Sequence, residues 1–400
     1  MNPIPYGKQF ISDKDIAAIT ETLLSDYLTQ GPKIEEFEKS FSKYIGCEYS
    51  VAVSNGTAAL HLCALALDAQ PGDKVITTPI TFAASANCIR YCGGEVVFSD
   101  IDRESYLIDI EKIKELLSNS PKGTYKGIVP VDFGGRAVNL EALKDLADEH
   151  GLWIIEDACH SPGGFFTDSK GTKQFCGNGK YADLAIFSFH PVKHIATGEG
   201  GMITTNNKEL YEKLLMLRTH GITKREELFQ NDLTLARGTK ETTDGNYPGW
   251  YMEMQVLGYN YRLTDLQAAL GISQLERANE GLEKRKQIAQ KYETAFAAHT
   301  FIKKQVGRIE GHAYHLYIIE VENRLELYNY LRSKSIFAQV HYIPIHLMPY
   351  YKQLGYKLGD YPQSESYYCD CLSLPMFPTL TSEEQEYVIS TVVNFFNNRS

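Results

Sequence analysis

The sequence predicts an α/β fold: a parallel sheet covered by helices on both faces, followed by a smaller α+β unit. Three observations carry this. Short apolar runs ending in polar or glycine residues alternate with helical patterns through the first two-thirds of the chain, the pattern of linked β-α-β units. Near residue 260 the texture changes to one long helical pattern, and then to strands and helices in a different order. Between the two lies a polar, glycine-rich stretch around 222–250 without clear periodicity.

Taken along the chain, "DKDIAAITETLLSDYL" places Ile16, Ile19, Leu23 and Leu24 on one helical face, with Ser12 or Asp13 as its cap. "YSVAVSNGTAALHLCALAL" reads as strand, glycine turn and helix. "DKVITTPITFAASANCIRYCG", "EVVFSDID", "KGIVPVDFGG" and "HGLWIIEDACHSPGG" each open on a short apolar strand, and "LEALKDLADEHG" is a helix stopped by its glycine. The stretch at 222–250 is expected to be a lid or a subunit-contact loop, because Tyr247, Trp250 and Tyr251 are costly to leave in water. From residue 264 onward a long helix is expected, interrupted by Gly271 and Gly281. "HAYHLYIIEVE", "LELYNYLRSKS", "FAQVHYIPI" and the closing helix "SEEQEYVISTVVNFFNN" complete the smaller unit. The expected division is 1–258, with an N-terminal arm and the insertion near 222–250, and 259–400, beginning with a long linking helix.

Composition narrows the function. A formal net charge of −10 argues against a general nucleic-acid or anionic-membrane surface, so an anionic ligand would need a local pocket of donors. No run of about 18 apolar residues is present, and "MNPIPYGKQF" lacks the basic and apolar regions of a signal peptide, so a cytoplasmic protein is expected. Eight cysteines without a C-x-x-C pair read as buried free thiols. His341 and His346 have no carboxylate or cysteine at ligand spacing, so no metal is expected.

The chemistry-bearing residues fall at strand ends, where ligands of parallel sheets collect. The turn Ser54-Asn55-Gly56-Thr57 opens a helix, so its free N–H groups could cradle a phosphate, or could simply belong to a capped helix. Glu156 and Asp157 end an apolar strand; a carboxylate there could cap the next helix or hold a cationic ring nitrogen, with His160 nearby. "FSFHPVKHIATGEGG" places Ser188 and Lys193 at another strand end. A lysine there becomes a nucleophile when burial and neighbouring cations lower its pKa. A phosphate cradle, an acid for a ring nitrogen and a reactive lysine are the three things pyridoxal 5′-phosphate (PLP) requires. No dinucleotide fingerprint, P-loop or H-E-x-x-H motif competes.

"SNGTAAL", "TPITFAASAN", "EDACHSPGG", "FSFHPVKHIATGEGG", "GYNYRLTDLQAALG" and "VHYIPIH" occur in the order found in the DegT/DnrJ/EryC1/StrS sugar aminotransferases, and nearly the whole chain resembles that family. The resemblance implies the aspartate-aminotransferase fold (fold type I), with a mainly parallel sheet in the large domain. It implies that Lys193 carries PLP covalently and that the cofactor passes through its PMP form. Asp157 would pair with the pyridine nitrogen, Phe82 would stack on the ring, and His160 would lie near the ring hydroxyl. Gly56, Thr57, Ala58 and Ser188 would hold the phosphate, and Asn260 would reach the phosphate of a neighbouring subunit in a homodimer with shared sites. "IPYGKQ", "SDYLTQGP", "FAQVHYIPIHLMPYY" and "SLPMFP" are similar to the pseudaminic acid branch of the family. That branch aminates C4 of a UDP-linked 4-keto-6-deoxy-N-acetylhexosamine with L-glutamate as donor. By this likeness Tyr6, the stretch Asp26, Tyr27, Leu28 and Thr29, and the stretch Gln339, Val340, His341 and Tyr342 would line the nucleotide-sugar site. The chain departs from the branch at Asn55-Gly56-Thr57, where it keeps the wider family's form. Other members carry histidine in place of the lysine and act as PMP-dependent sugar dehydratases; lysine at 193 implies transamination, with His194 as a neighbour lining the site.

Overall fold

The computed structural model describes residues 2–239 and 245–398. Seven strands build the central sheet: β1 (Tyr49–Val53), β2 (Lys74–Thr77), β3 (Glu95–Phe98), β4 (Tyr125–Val129), β5 (Trp153–Asp157), β6 (Leu184–Ser188) and β7 (Gly201–Thr205). Their order in space is β1-β7-β6-β5-β4-β2-β3. β7 alone runs against the other strands, antiparallel to β1 and β6; the pairs β6/β5, β5/β4, β4/β2 and β2/β3 are parallel.

Helices cover both faces, which is why the strands read as apolar runs rather than alternations. These are α1 (Asp13–Leu23), α2 (Pro32–Ile45), α3 (Gly56–Ala66), α4 (Ala84–Tyr91), α5 (Ile110–Ser118), α6 (Leu140–His150) and α7 (Lys208–Arg218). Successive strand residues feed opposite cores. Ile155, Ile186 and Ile203 pack with Leu60, Leu62 and Leu214 of α3 and α7, whereas Ile76, Ile128 and Ile154 pack with Ile113 and Leu143 of α5 and α6. Local chemistry sets the helix ends. Ser12 and Asp15 form a capping box on α1, Pro32 starts α2, and Gly46 and Gly151 end α2 and α6 in the left-handed region at φ 85° and 69°.

The C-terminal unit is built on the antiparallel sheet of β8 (Ile302–Gln305), β9 (Tyr317–Val321) and β10 (Cys371–Leu374), in that order. Ahead of it run α8 (Asp265–Glu276) and α9 (Ala278–Phe296); α10 (Arg324–Ser333), α11 (Pro362–Asp370) and α12 (Ser382–Asn397) complete it. The expected long helix is therefore two helices, and the break falls at Arg277 rather than at either glycine. α8 packs against α1 and α2, and α9 carries the chain into the C-terminal core. The N-terminal arm crosses the other way: Ile4–Pro5 pairs in parallel with Ile336–Phe337, and Ile4 is buried in the C-terminal core.

The stretch at 222–250 has structure of its own. Ile222–Thr223 pairs with Glu253–Met254, a short helix spans Leu233–Arg237, and the rings of Phe229, Tyr247 and Tyr251 pack together. Trp250 is 75% exposed, so burial in this chain does not account for it. Residues 240–244 of the expected loop lie outside the described residues. All eight cysteines are free thiols. Among the described residues no helix is long and apolar enough to cross a membrane.

Candidate active site

Parallel strands place their C-terminal ends on one edge of a sheet, and β1, β5 and β6 use that edge to bring three loops together. After β1, Asn55 caps α3: its Oδ1 accepts the Ala58 N–H at 2.8 Å. That bond occupies Ala58's donor and leaves the N–H groups of Gly56 and Thr57 without acceptors inside the helix. After β6, Ser188 closes on this turn. A Cβ added to Gly56 would lie 3.1 Å from Ser188 Cβ, 3.4 Å from Ser188 Oγ and 3.6 Å from Cys159 Sγ. A side chain at this position would press on Ser188, so the glycine lets the strand-end serine and the helix start approach closely.

Asp157 ends β5 and is 5% exposed. Its Oδ2 accepts from Ser85 Oγ at 2.7 Å and its Oδ1 from the Cys159 N–H at 3.2 Å. Residues 158–164 form turns rather than a helix, so Asp157 is not a helix cap. Glu156 points to the other face, where both its oxygens accept the Gly177 N–H at 3.0 Å. Ligand atoms of Glu156, Asp132 and Cys176 lie within 4.8 Å of one another. Burial first, and then Asp132, push the Glu156 carboxyl well above its usual range.

Lys193 lies in the turn after β6, its N–H donating to His190 O at 2.8 Å. Protein surrounds the side chain, although part of it stays accessible. Loss of solvation lowers its pKa; Cys159 and Asp157 oppose the shift and Arg285 adds to it. His160, 5% exposed, accepts the Gly134 N–H at Nδ1, 3.2 Å. Its ring proton is therefore on Nε2, 3.4 Å from the Tyr342 hydroxyl. Backbone bonding and a place in the site coexist in this residue. His194 Nε2 donates to Ala313 O at 2.9 Å, and the rings of His160, His315 and His194 form a row at 4.2 and 5.6 Å. Burial holds all three well below the usual histidine pKa.

The other expected residues fall into two groups. Tyr342 links His160 to Phe82, whose ring lies 6.4 Å away and is 62% exposed. Tyr6 packs on His341 at 5.0 Å, His341 Nδ1 meets Ser373 Oγ at 2.9 Å, and Gln339 Oε1 accepts the Val340 N–H. These border the Lys193 cluster. The second group makes no hydrogen bond or ring contact with these side chains among the described residues. Asp26, Tyr27, Leu28 and Thr29 are exposed, and this stretch is held by Leu28 O on the Asp265 N–H and by a Thr29–Thr264 bridge. Asn260 is exposed and pairs with Thr219. Four residues of the cluster carry no sequence signal in isolation: Ser85 sits in an alanine-rich helix start, Cys159 and His315 read as core, and Arg285 lies in the charge run "EKRK" that reads as a solvated face.

The pattern that defines the DegT/DnrJ/EryC1/StrS aminotransferases matches residues 9–393. The chain belongs to the DegT/DnrJ/EryC1/StrS aminotransferase family. It is 37% identical over 398 residues to the spore coat polysaccharide biosynthesis protein SpsC of Bacillus subtilis, covering 97% of this chain and 96% of the relative. It is 35% identical over 397 residues to a UDP-4-amino-4,6-dideoxy-N-acetyl-beta-L-altrosamine transaminase of Campylobacter jejuni, with the same coverage. Helicobacter pylori PseC, an aminotransferase of pseudaminic acid biosynthesis, superposes with a TM-score of 0.86 at 28% identity, covering 99% of this chain and 100% of PseC. This chain is a PLP-dependent sugar aminotransferase of fold type I. The residues present suit the cofactor: a turn in which a Cβ on Gly56 would crowd Ser188, amides at the positive end of α3, a buried carboxylate and a desolvated lysine.

Proposed function

We propose that this protein transfers an amino group from L-glutamate to C4 of a UDP-linked 4-keto-6-deoxy-N-acetylhexosamine, giving UDP-4-amino-4,6-dideoxy-N-acetyl-β-L-altrosamine. The observation that carries the reaction is lysine at 193, desolvated and on the same sheet edge as Asp157. The likeness to the Campylobacter transaminase supports the sugar. Bound here, PLP supplies the electron sink that stabilises a carbanion at the amino donor's Cα. The chain supplies the rest. Gly56 and Thr57 amides and Ser188 Oγ hold the phosphate, with Ala58 completing the turn. Asp157 would pair with the pyridine nitrogen, Phe82 would stack on the ring, and His160 would lie near the ring hydroxyl. Lys193, as free amine, takes the proton from the donor's Cα and later returns a proton to the sugar's C4. Tyr6 and the stretch Gln339–Tyr342 line the sugar side.

In this reading the protein is a cytoplasmic homodimer with the domain boundary at 258/259. Asp26–Thr29 and Asn260, which are exposed in one chain, serve the site of the other. The test is an assay of purified protein with L-glutamate and the 4-keto sugar made enzymatically from UDP-N-acetylglucosamine. The product's mass and its configuration at C4 and C5 are read by mass spectrometry and NMR. The altrosamine product, formed by wild type and not by Lys193→Ala, is expected. Turnover only with another nucleotide or sugar configuration overturns the substrate, and turnover by Lys193→Ala overturns the role of the lysine.

A further inference from the structure

His194 follows Lys193 directly in the chain, and its side chain reaches across to the C-terminal unit. Residues 190–196 form the loop after β6. It is closed at its base by the Thr197 N–H on Phe189 O (2.9 Å) and across its turn by the Lys193 N–H on His190 O (2.8 Å). Among the described residues one hydrogen bond ties this loop to the C-terminal unit: His194 Nε2 donates to Ala313 O at 2.9 Å, across 119 positions of sequence. The segment that receives it is itself fixed. The Ala313 N–H donates to Gly135 O (2.7 Å) and the Leu316 N–H to Gly134 O (3.1 Å), while Arg285 binds the carbonyls of Tyr314 (3.3 Å) and His315 (3.4 Å). A carbonyl only accepts, so the His194 hydrogen is on Nε2 and Nδ1 is bare. That nitrogen is buried without a partner, which costs stability, and the donor on the other side of the ring is what offsets it. With Nε2 engaged and Nδ1 enclosed, neither nitrogen acts on substrate.

We infer that His194 is a positioning residue: its bond to Ala313 O fixes the backbone of Lys193 against the C-terminal unit and so sets where the lysine's amine can reach. The inference rests on the reading of Lys193 as the residue that carries PLP and moves protons at the donor's Cα and the sugar's C4. A lysine has a flexible four-carbon stem, so a moving amine is placed accurately only from a fixed backbone. A misplacement of about 1 Å at a reacting group costs on the order of 100-fold in rate. The loop's other contacts do not supply that anchor. Val192 lies against Gly7 of the N-terminal arm, and Ile195 belongs to the core that includes Phe37 and Phe41. Both contacts are apolar and non-directional.

The test reads the tie first in full-length apoprotein. With isotope-labelled histidine rings, NMR shows which nitrogen of His194 carries the hydrogen, its signal being assigned by loss in His194→Gln. Nε2–H is expected, and a bare Nε2 overturns the inference whether or not any variant folds. Hydrogen exchange read by mass spectrometry then follows the peptide spanning 190–196. His194→Phe keeps a ring but no donor, and is expected to speed exchange there by about threefold to tenfold while leaving β4 unchanged. His194→Gln can still donate and is expected to stay near wild type. Unchanged exchange in His194→Phe overturns the inference, and so does an equal rise in His194→Gln, which would make the effect one of packing. In the PLP-loaded enzyme, His194→Phe is expected to lower kcat by about tenfold with little change in KM for L-glutamate. Its isotope effect with glutamate deuterated at Cα should be larger than that of wild type, and His194→Gln should recover most of kcat. A loosened loop with wild-type kcat and isotope effect overturns the link to Lys193. Apoprotein that behaves as expected yet never turns yellow with PLP would support the tie while refuting the reading of Lys193.

Discussion

Ser85 decides how firmly Asp157 is held. Its hydroxyl donates to Oδ2 at 2.7 Å and also meets Thr81 Oγ1 at 2.7 Å, so the carboxylate is fixed from a second helix rather than from its own turn alone. Asp157→Asn keeps the shape but cannot remain anionic. We expect it to fold normally and to lose transamination by about 100-fold or more, because a protonated ring nitrogen is then no longer favoured. Ser85→Ala removes one charge-assisted bond, of about 1.5–3 kcal/mol, and is expected to lower turnover by roughly tenfold. Steady-state rates of both variants check this, with visible absorbance as a measure of bound cofactor; a Ser85→Ala rate equal to wild type would leave Ser85 as packing. The contrast also marks what was legible. Lys193, Asp157, Ser188 and Gly56 stand out as candidates because each lies at or just after the end of a readable strand in a short motif. Ser85 could not, because its partner is 72 residues away in sequence and a serine in "FAASAN" carries no mark of it.

At the scale of elements, two glycines in neighbouring helices are expected to respond with opposite sign to the same change. A Cβ at Gly271 of α8 would lie 2.5 Å from Cζ of Phe37, whose ring is fully buried and held by Phe41 and Phe189 at 6.1 and 5.2 Å. The ring cannot swing away, so Gly271→Ala is expected to destabilise by about 1–2 kcal/mol, overpacking outweighing the gain in helix propensity. At Gly281 of α9 the Cβ meets only Pro378, at 3.6 Å, and Gly281→Ala is expected to stabilise by up to about 1 kcal/mol. Urea unfolding of the two variants against wild type reads both, and a shared sign would refute the packing argument. Both glycines suggested helix breaks in the sequence, and neither makes one. The break at Arg277 has no glycine or proline to announce it. It is set by tertiary bonds, in which the guanidinium reaches back to Phe10 O, Ser12 Oγ and the Asp15 carboxylate of the N-terminal segment. The Ile4–Pro5 strand was hidden for a similar reason: it is two residues long and its partner begins at Ile336.

For the whole molecule, layer order and sheet class follow from the alternation of apolar runs and helices, but the distribution of buried charge does not. Net charge of −10 says nothing of five histidines held neutral inside. His160, His194 and His315 are pushed well below the usual range, and His312 and His341 down to about 3, in every case chiefly by burial. The sign of the consequence is fixed. Unfolded histidines bind protons as pH falls through about 6.5 and the native ones do not, so their contribution is full above that pH and is lost progressively down to the native values. Glu156, with its pKa raised well above the usual carboxyl value, acts in the opposite sense until the unfolded carboxyls protonate near pH 4.3. Asp132, Glu38 and Glu293 are raised as well. His61 is lowered by burial too; against these six depressed histidines, Glu156 is the one carboxyl raised well above its range, so the net effect of acid is destabilising. Each unmatched proton is worth about 1.4 kcal/mol per pH unit, and stability should fall by several kcal/mol between pH 7 and pH 5. His312 offers the control: its Nδ1 accepts the Tyr314 N–H at 2.8 Å, a bond an asparagine oxygen can replace. His312→Asn should therefore fold and show an acid slope shallower by about one proton. Urea midpoints measured from pH 7.5 to 5 test this directly. A flat wild-type profile, or an unchanged slope in His312→Asn, would mean that the buried imidazoles gain protons without unfolding.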